Sequence, residues 1–167
     1  MRIAIVYGST TRYTERVACK IAAQPGFEEA ELIDIEETAL SDLLEFDFII
    51  FGIPTWDYGE VQSSWQAVWD DIDKTDFSNK LCAFFGLGDQ QGYPQWFVDA
   101  MGLLHEKIVR QGGIAIGDWP TDGYHFNTQI SLSGNRFVGL PLDEVNQDDL
   151  TDERIINWCR QLCEIIG

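Results

Sequence analysis

The chain has 167 residues, of which 28 are Asp or Glu and 11 are Lys or Arg, for a net charge of -17. That length suits one domain able to bury about two thirds of its unfolded surface. So acidic a balance argues against nucleic acid or an anionic membrane as partner, and favours protein partners with basic docking faces. No apolar run is long enough to span a membrane and no signal-peptide core precedes the first strand, so we expect a cytoplasmic protein, acting as a monomer.

Ile3 to Val6 is a short apolar run ending at Tyr7 and Gly8, as a buried strand would. A crowd of hydroxyls follows, Ser9, Thr10, Thr11 and Thr14, and then Val17, Ala18, Ile21 and Ala22 recur at helical spacing. The hydroxyl loop therefore lies where a strand hands over to a helix. Amides of a first helical turn point outward, the helix dipole favours negative charge there, and hydroxyls add donors without formal charge. We read a phosphate cradle; the alternative is that Thr11 or Ser9 simply caps the helix.

Gln24, Pro25 and Gly26 break the chain, and Ala30 to Ile35 alternates as an edge strand would. Ala39 to Leu44 suits a short helix or turn. Phe46 to Ile53 is the longest apolar run and predicts a central strand, stopped at Pro54. Trp65, Val68, Trp69 and Ile72 mark the core stripe of a helix. Leu81 to Leu87 predicts another buried strand, followed by a helix carrying Phe97, Met101, Leu104 and Ile108 on one face. Gly112 and Gly113 end that helix and open a strand through Ile114 to Ile116. Asp118 to Arg136 follows neither period and reads as an irregular excursion, with the strand resuming over Phe137 to Leu140. The last helix starts at Thr151, expected to be its cap, and turns Ile155, Cys159, Leu162 and Ile166 inward.

This alternation predicts an α/β three-layer sandwich around a five-stranded parallel sheet of order 2-1-3-4-5, with an irregular insertion in the fifth strand. Cys19, Cys82, Cys159 and Cys163 lie in apolar patterns, as reduced structural cysteines do, and no ligand set for a metal is present. His105 and His125 suggest no triad.

In a doubly wound sheet, ligands bind beyond the strand C-termini where the strand order reverses. Three loops converge there: GSTTRYT after the first strand, PTWDYGE (Pro54 to Glu60) after the third, and GDQQGY (Gly88 to Tyr93) after the fourth. Trp56, Tyr58 and Tyr93 are aromatics in segments that are usually polar, and such rings can wall a flat heterocycle. A phosphate at one end and a planar heterocycle at the other is the shape of flavin mononucleotide (FMN). The loops hold no nucleophile with a base, and Asp57, Glu60 and Asp89 read as setting a negative field that lowers a flavin's reduction potential.

The segments YGSTTRYTE, GIPTWDYGE, GLGDQQGY, WPTDGY and FVGLPLDEVNQ, in this order and spread over the whole chain, resemble the flavodoxin family, long-chain type. The resemblance implies one flavodoxin-like FMN-binding domain over residues 1-167, non-covalent FMN, and one-electron shuttling from an NADPH-dependent flavodoxin reductase to acceptor proteins. It implies that Ser9, Thr10, Thr11, Arg12, Tyr13 and Thr14 hold the phosphate. Trp56 and Tyr93 would flank the ring, and Asp57, Tyr58 and Gly59 would lie near its reactive nitrogen. Pro54, Thr55, Leu87, Gly88 and Asp89 complete the implied cofactor contacts. One departure stands out: where the family reads T-G-N-T, this chain has Thr11, Arg12, Tyr13 and Thr14, and Arg12 is expected to pair with the phosphate or to point to solvent. A competing expectation is an FMN-dependent NAD(P)H reductase of similar fold. A phosphoacceptor receiver domain is excluded, because Gly8, Ser9, Gly52 and Pro54 stand where its acidic residues would be.

Overall fold

The computed structural model describes residues Met1–Gly167. The chain runs through β1 (Ile3–Tyr7), α1 (Tyr13–Ala22), β2 (Glu31–Asp34), β3 (Phe48–Trp56), β4 (Glu60–Val61), α2 (Ser63–Ile72), β5 (Leu81–Leu87) and α3 (Asp99–Arg110). It continues through β6 (Ile114–Ala115), β7 (Trp119–Pro120), β8 (Leu132–Ser133), β9 (Arg136–Phe137), β10 (Leu140–Leu142) and α4 (Thr151–Ile166). The main sheet runs β10-β5-β3-β1-β2, all parallel, and β6 pairs with the opposite end of β5 from β10. β6 and β10 therefore share the fifth position, split by the insertion, as the sequence predicts.

Alternation along the strands builds two cores. Phe48 and Ile50 face one side with Ile5, Val17, Ile21 and Trp158, while Ile49, Phe51 and Ile53 face the other with Trp65, Met101 and Leu104. Burial on both faces is why these strands read as unbroken apolar runs. Gly52 is required by packing: a Cβ there would overlap the Phe85 ring.

Several elements depart from expectation. β3 does not stop at Pro54 but continues to Trp56, because a proline's missing N–H costs nothing where the sheet is running out of ladder partners. Its end folds back on β4, Trp56 opposite Glu60, so Asp57–Gly59 is the tip of a hairpin rather than a free loop. The second crossover adds a 3-10 turn at Ile35–Glu37 to the one at Leu40–Glu45, which lies where the sequence suits a short helix or turn. α3 begins at Asp99, leaving Phe97 buried just before it. The excursion is not wholly irregular: β7, β9 and β8 form a small antiparallel sheet, which claims Phe137 and delays resumption of the fifth strand to Leu140. Thr151 does not cap α4; its hydroxyl donates to Glu144 Oε2 at 3.1 Å. Cys19 is exposed rather than packed in a core, and all four cysteines are free thiols. No helix is long and apolar enough to cross a membrane.

Candidate functional site

The chain reverses its direction of winding between β1 and β3, and the rim beyond their C-terminal ends carries a cavity of about 550 Å³. That size is within the range of about 300–1,000 Å³ common to small-molecule sites. Thr11, Tyr13 and Thr14 line one end, Pro54 to Asp57 and Leu87 to Asp89 the middle, and Tyr93, Trp96, Phe97, Glu144 and Val145 the remainder. All three loops expected at this rim meet there.

The loop after β1 leaves polar groups without a partner in the protein. α1 starts at Tyr13 with no side-chain cap, so neither Ser9 nor Thr11 plays the capping role open to it in the sequence. Ser9 Oγ is buried without any hydrogen-bond partner, which costs about 1–3 kcal/mol for a hydroxyl. Thr14 is buried at the first turn, and Arg12 takes φ 69° at the N-cap. A left-handed backbone in a residue with a Cβ is a small local penalty. Thr10 is held from behind: Gln62, itself fully buried, donates through Nε2 to Thr10 Oγ1 at 3.1 Å and to Ser64 Oγ at 3.0 Å. The same amide's oxygen accepts from Ser64 N and Trp65 N, capping α2. Gly8 lies beneath this amide, where a Cβ would come within 2.6 Å of Gln62 Oε1.

At the other end the aromatic walls differ in part from expectation. Trp56 and Tyr93 line the cavity, but Tyr58 does not; it is 66% exposed and sets its ring edge-on against Trp96 at 5.0 Å and Tyr93 at 5.9 Å. Tyr58 thus braces the wall from outside. Gly59, at φ 85°, backs onto Trp96, whose Cδ1 would lie 2.9 Å from a Cβ placed there. Asp57 also has positive φ, 39°, at the hairpin tip. Its carboxylate charge is the largest influence on the neighbouring Tyr93 phenol, which it pushes above the ordinary pKa.

Three carboxylates border the cavity, Asp57, Asp89 and Glu144, and no Lys, Arg, His or Cys does. Glu60, expected beside them, lies outside in a shallow groove along Trp56 and Gln66. Ser9, Thr10 and Arg12 belong to the same stretch as Thr11, Tyr13 and Thr14 without contributing to the lining. Four lining residues escaped the sequence reading. Phe97 was read into a helical stripe, Trp96 just before it carried no reading, and Glu144 and Val145 follow the fifth strand, whose C-terminal end reaches the same rim in any doubly wound sheet.

The family model described as Flavodoxin matches residues 5–158. Flavodoxin 2 of Salmonella typhi is 46% identical over 164 residues, 97% of this chain and 95% of that protein. A flavodoxin of Nostoc is 46% identical over 166 residues, covering 99% and 98%. Among solved structures, the flavodoxin of Fusobacterium nucleatum bound to flavin mononucleotide superposes with a TM-score of 0.92 at 27% identity, covering 98% of each chain. With a matching family model over most of its length and relatives of this similarity, the chain belongs to the flavodoxin family.

Proposed function

We propose that this protein, with residues 1-167 acting as one domain, binds FMN non-covalently and carries single electrons between a reductase and acceptor proteins. The observation that carries the reading is one cavity with two unlike parts: an uncapped helix start, whose loop buries the unpartnered Ser9 hydroxyl behind the lining, and the aromatic rings of Trp56 and Tyr93. The first suits a phosphate monoester and the second a flat ring.

In this reading the loop Ser9 to Thr14 holds the phosphate with amides and hydroxyls, and Ser9 Oγ gains its missing partner. Trp56 and Tyr93 hold the ring faces, with Pro54, Thr55, Asp57 and Leu87 to Asp89 along its edge. FMN, when bound, supplies the redox chemistry. The side chains exclude water, fix the ring and set the local field. Asp57, Asp89 and Glu144 surround the slot with negative charge, which disfavours adding electrons and keeps the reduction potential low.

The net charge of -17 supports partners with basic faces, among them an NADPH-dependent flavodoxin reductase. The experiment is the visible spectrum of the purified protein, identification of any released chromophore, and electron transfer to an acceptor with and without a reductase. FMN in near-equal proportion, negligible NADPH oxidation alone, and transfer that slows as salt rises are the expected results. Direct NADPH oxidation without a reductase would replace the carrier with an enzyme.

A further inference from the structure

Two of the loops at the ring end of the cavity, Gly88–Tyr93 and Asp143–Gln147, have no β-ladder between them. Between the loops lies Asp143, fully buried, a rare place for a carboxylate unless every oxygen is satisfied. Its Oδ2 accepts from Gln90 N at 3.1 Å, Gln90 Nε2 at 2.9 Å and Asn146 Nδ2 at 2.8 Å. Its Oδ1 accepts from Val145 N at 3.1 Å and Asn146 N at 2.9 Å. The network reaches the slot by short steps. Asn146 Nδ2 also donates to Asp89 Oδ1 at 2.8 Å, and Asp89 O accepts from Tyr93 N at 2.9 Å.

We propose that Asp143 is the positioning residue of the ring end: its carboxylate gathers donors from both loops and fixes the Tyr93 and Val145 walls in the spacing that receives the ring. The proposal rests on the FMN reading. Only an ionised carboxylate accepts at both oxygens from five donors; an amide of the same shape turns an NH2 toward at least two of them. Gln90 is used up as well, since its Nε2 also donates to Gln147 Oε1 at 2.9 Å and its Oε1 accepts from His125 N at 2.7 Å. The charged and titratable groups around Asp143 are Asp89 on the facing loop, Glu144 on its own, Tyr124 of the insertion, and Arg154 of α4, which donates to Gln147 Oε1 at 2.8 Å. Burial pushes the Asp143 carboxyl up, but the hydrogen bonds from Asn146 and Gln90 outweigh it and hold the group below its ordinary value. Being lowered in the fold, it adds stability above its unfolded value and loses that contribution as pH falls through the folded one.

The test uses riboflavin, which has the ring without the phosphate, alongside FMN, each titrated into the flavin-free protein. Asp143→Asn is expected to weaken both ligands by the same factor, about tenfold or more, leaving the FMN-to-riboflavin ratio unchanged. Gln90→Glu supplies an independent arm should the first variant fail to fold. At about pH 8 it sets a second carboxylate against Asp143 and riboflavin binding falls; at about pH 5 the introduced carboxyl takes up a proton, regains a donor toward Asp143, and binding recovers. Riboflavin affinity unchanged in Asp143→Asn, a loss confined to FMN, or a Gln90→Glu deficit that ignores pH would each overturn the proposal. A wild-type protein that binds neither flavin would overturn the FMN reading and this proposal with it, whereas normal wild-type binding with an indifferent Asp143→Asn sinks the proposal alone.

Discussion

Ser9 in the loop after β1 and Asp143 behind the loops at the ring end solve opposite problems. Ser9 Oγ is buried with no partner, beside a helix start that no side chain caps. The Asp143 carboxylate is buried with five donors, and the Gln90 amide that supplies one of them is itself saturated. An open valence in a folded protein is a standing penalty that a ligand can remove, whereas a complete network gains nothing from a ligand and contributes shape. The phosphate end is therefore unfinished chemistry, and the ring end is finished geometry. Binding should separate along that line, with substitutions at one end sensed by FMN alone and those at the other sensed equally by FMN and riboflavin.

The largest expected effect is at the ring end. Trp56→Ala removes one face of the slot, and by the usual worth of aromatic stacking it should weaken both flavins by about 2 kcal/mol. Fluorescence titration of the flavin-free variant measures this directly. A loss several times greater for FMN than for riboflavin would erase the distinction between the two ends. Ser9→Ala should do the reverse with a smaller effect. Deleting a hydroxyl with no partner leaves the flavin-free protein unchanged or stabilises it by up to about 1 kcal/mol, while FMN binding weakens by about 1.5 kcal/mol and riboflavin binding stays put. Urea midpoints and paired titrations check both halves. Weaker riboflavin binding in this variant would mean that Ser9 supports the whole rim rather than the phosphate.

The same division explains what could be read from the sequence. The sheet was legible because strands buried on both faces leave unbroken apolar runs: Leu81 to Leu87 matches β5 residue for residue. The hydroxyl-rich turn after β1 was legible because its signal is local, with Ser9, Thr10 and Thr11 between the strand and the helix and Thr14 in the helix's first turn. The ring end was only half legible. Trp56 and Tyr93 announced themselves as aromatics in loops, but Tyr58 looked the same and turned out to brace them from outside. Nothing in DEVNQ or DQQGY says that Asp143 and Gln90, 53 positions apart, meet in the interior. A pattern of period two or 3.6 reports which way a side chain faces within its own element. It carries no information on polar contacts between distant loops, and those contacts build this wall. The hairpin at Asp57–Gly59 was missed for a related reason, since the two-residue strand β4 is too short to show a period.

Arg12 is the finest test of the contrast, because it brings a charge to the end that otherwise relies on neutral donors. Its backbone sits in the left-handed region at φ 69°, its guanidinium is exposed and makes no ion pair, and it stands at a helix N-terminus, where the dipole opposes a cation. Two small penalties thus fall on one residue three positions after Ser9. Arg12→Gly relieves both, and the flavin-free protein should gain about 0.5 kcal/mol after the extra chain entropy of glycine is counted. If the guanidinium attracts the phosphate, the same change weakens FMN a few-fold at low salt. The difference then closes as salt rises, because an exposed charge pair is screened within about 10 Å at 0.1 M. Riboflavin should bind both proteins alike at every salt. Equal FMN affinity at low salt would instead show Arg12 turned to solvent, leaving the cradle to hold its phosphate by amides and hydroxyls alone.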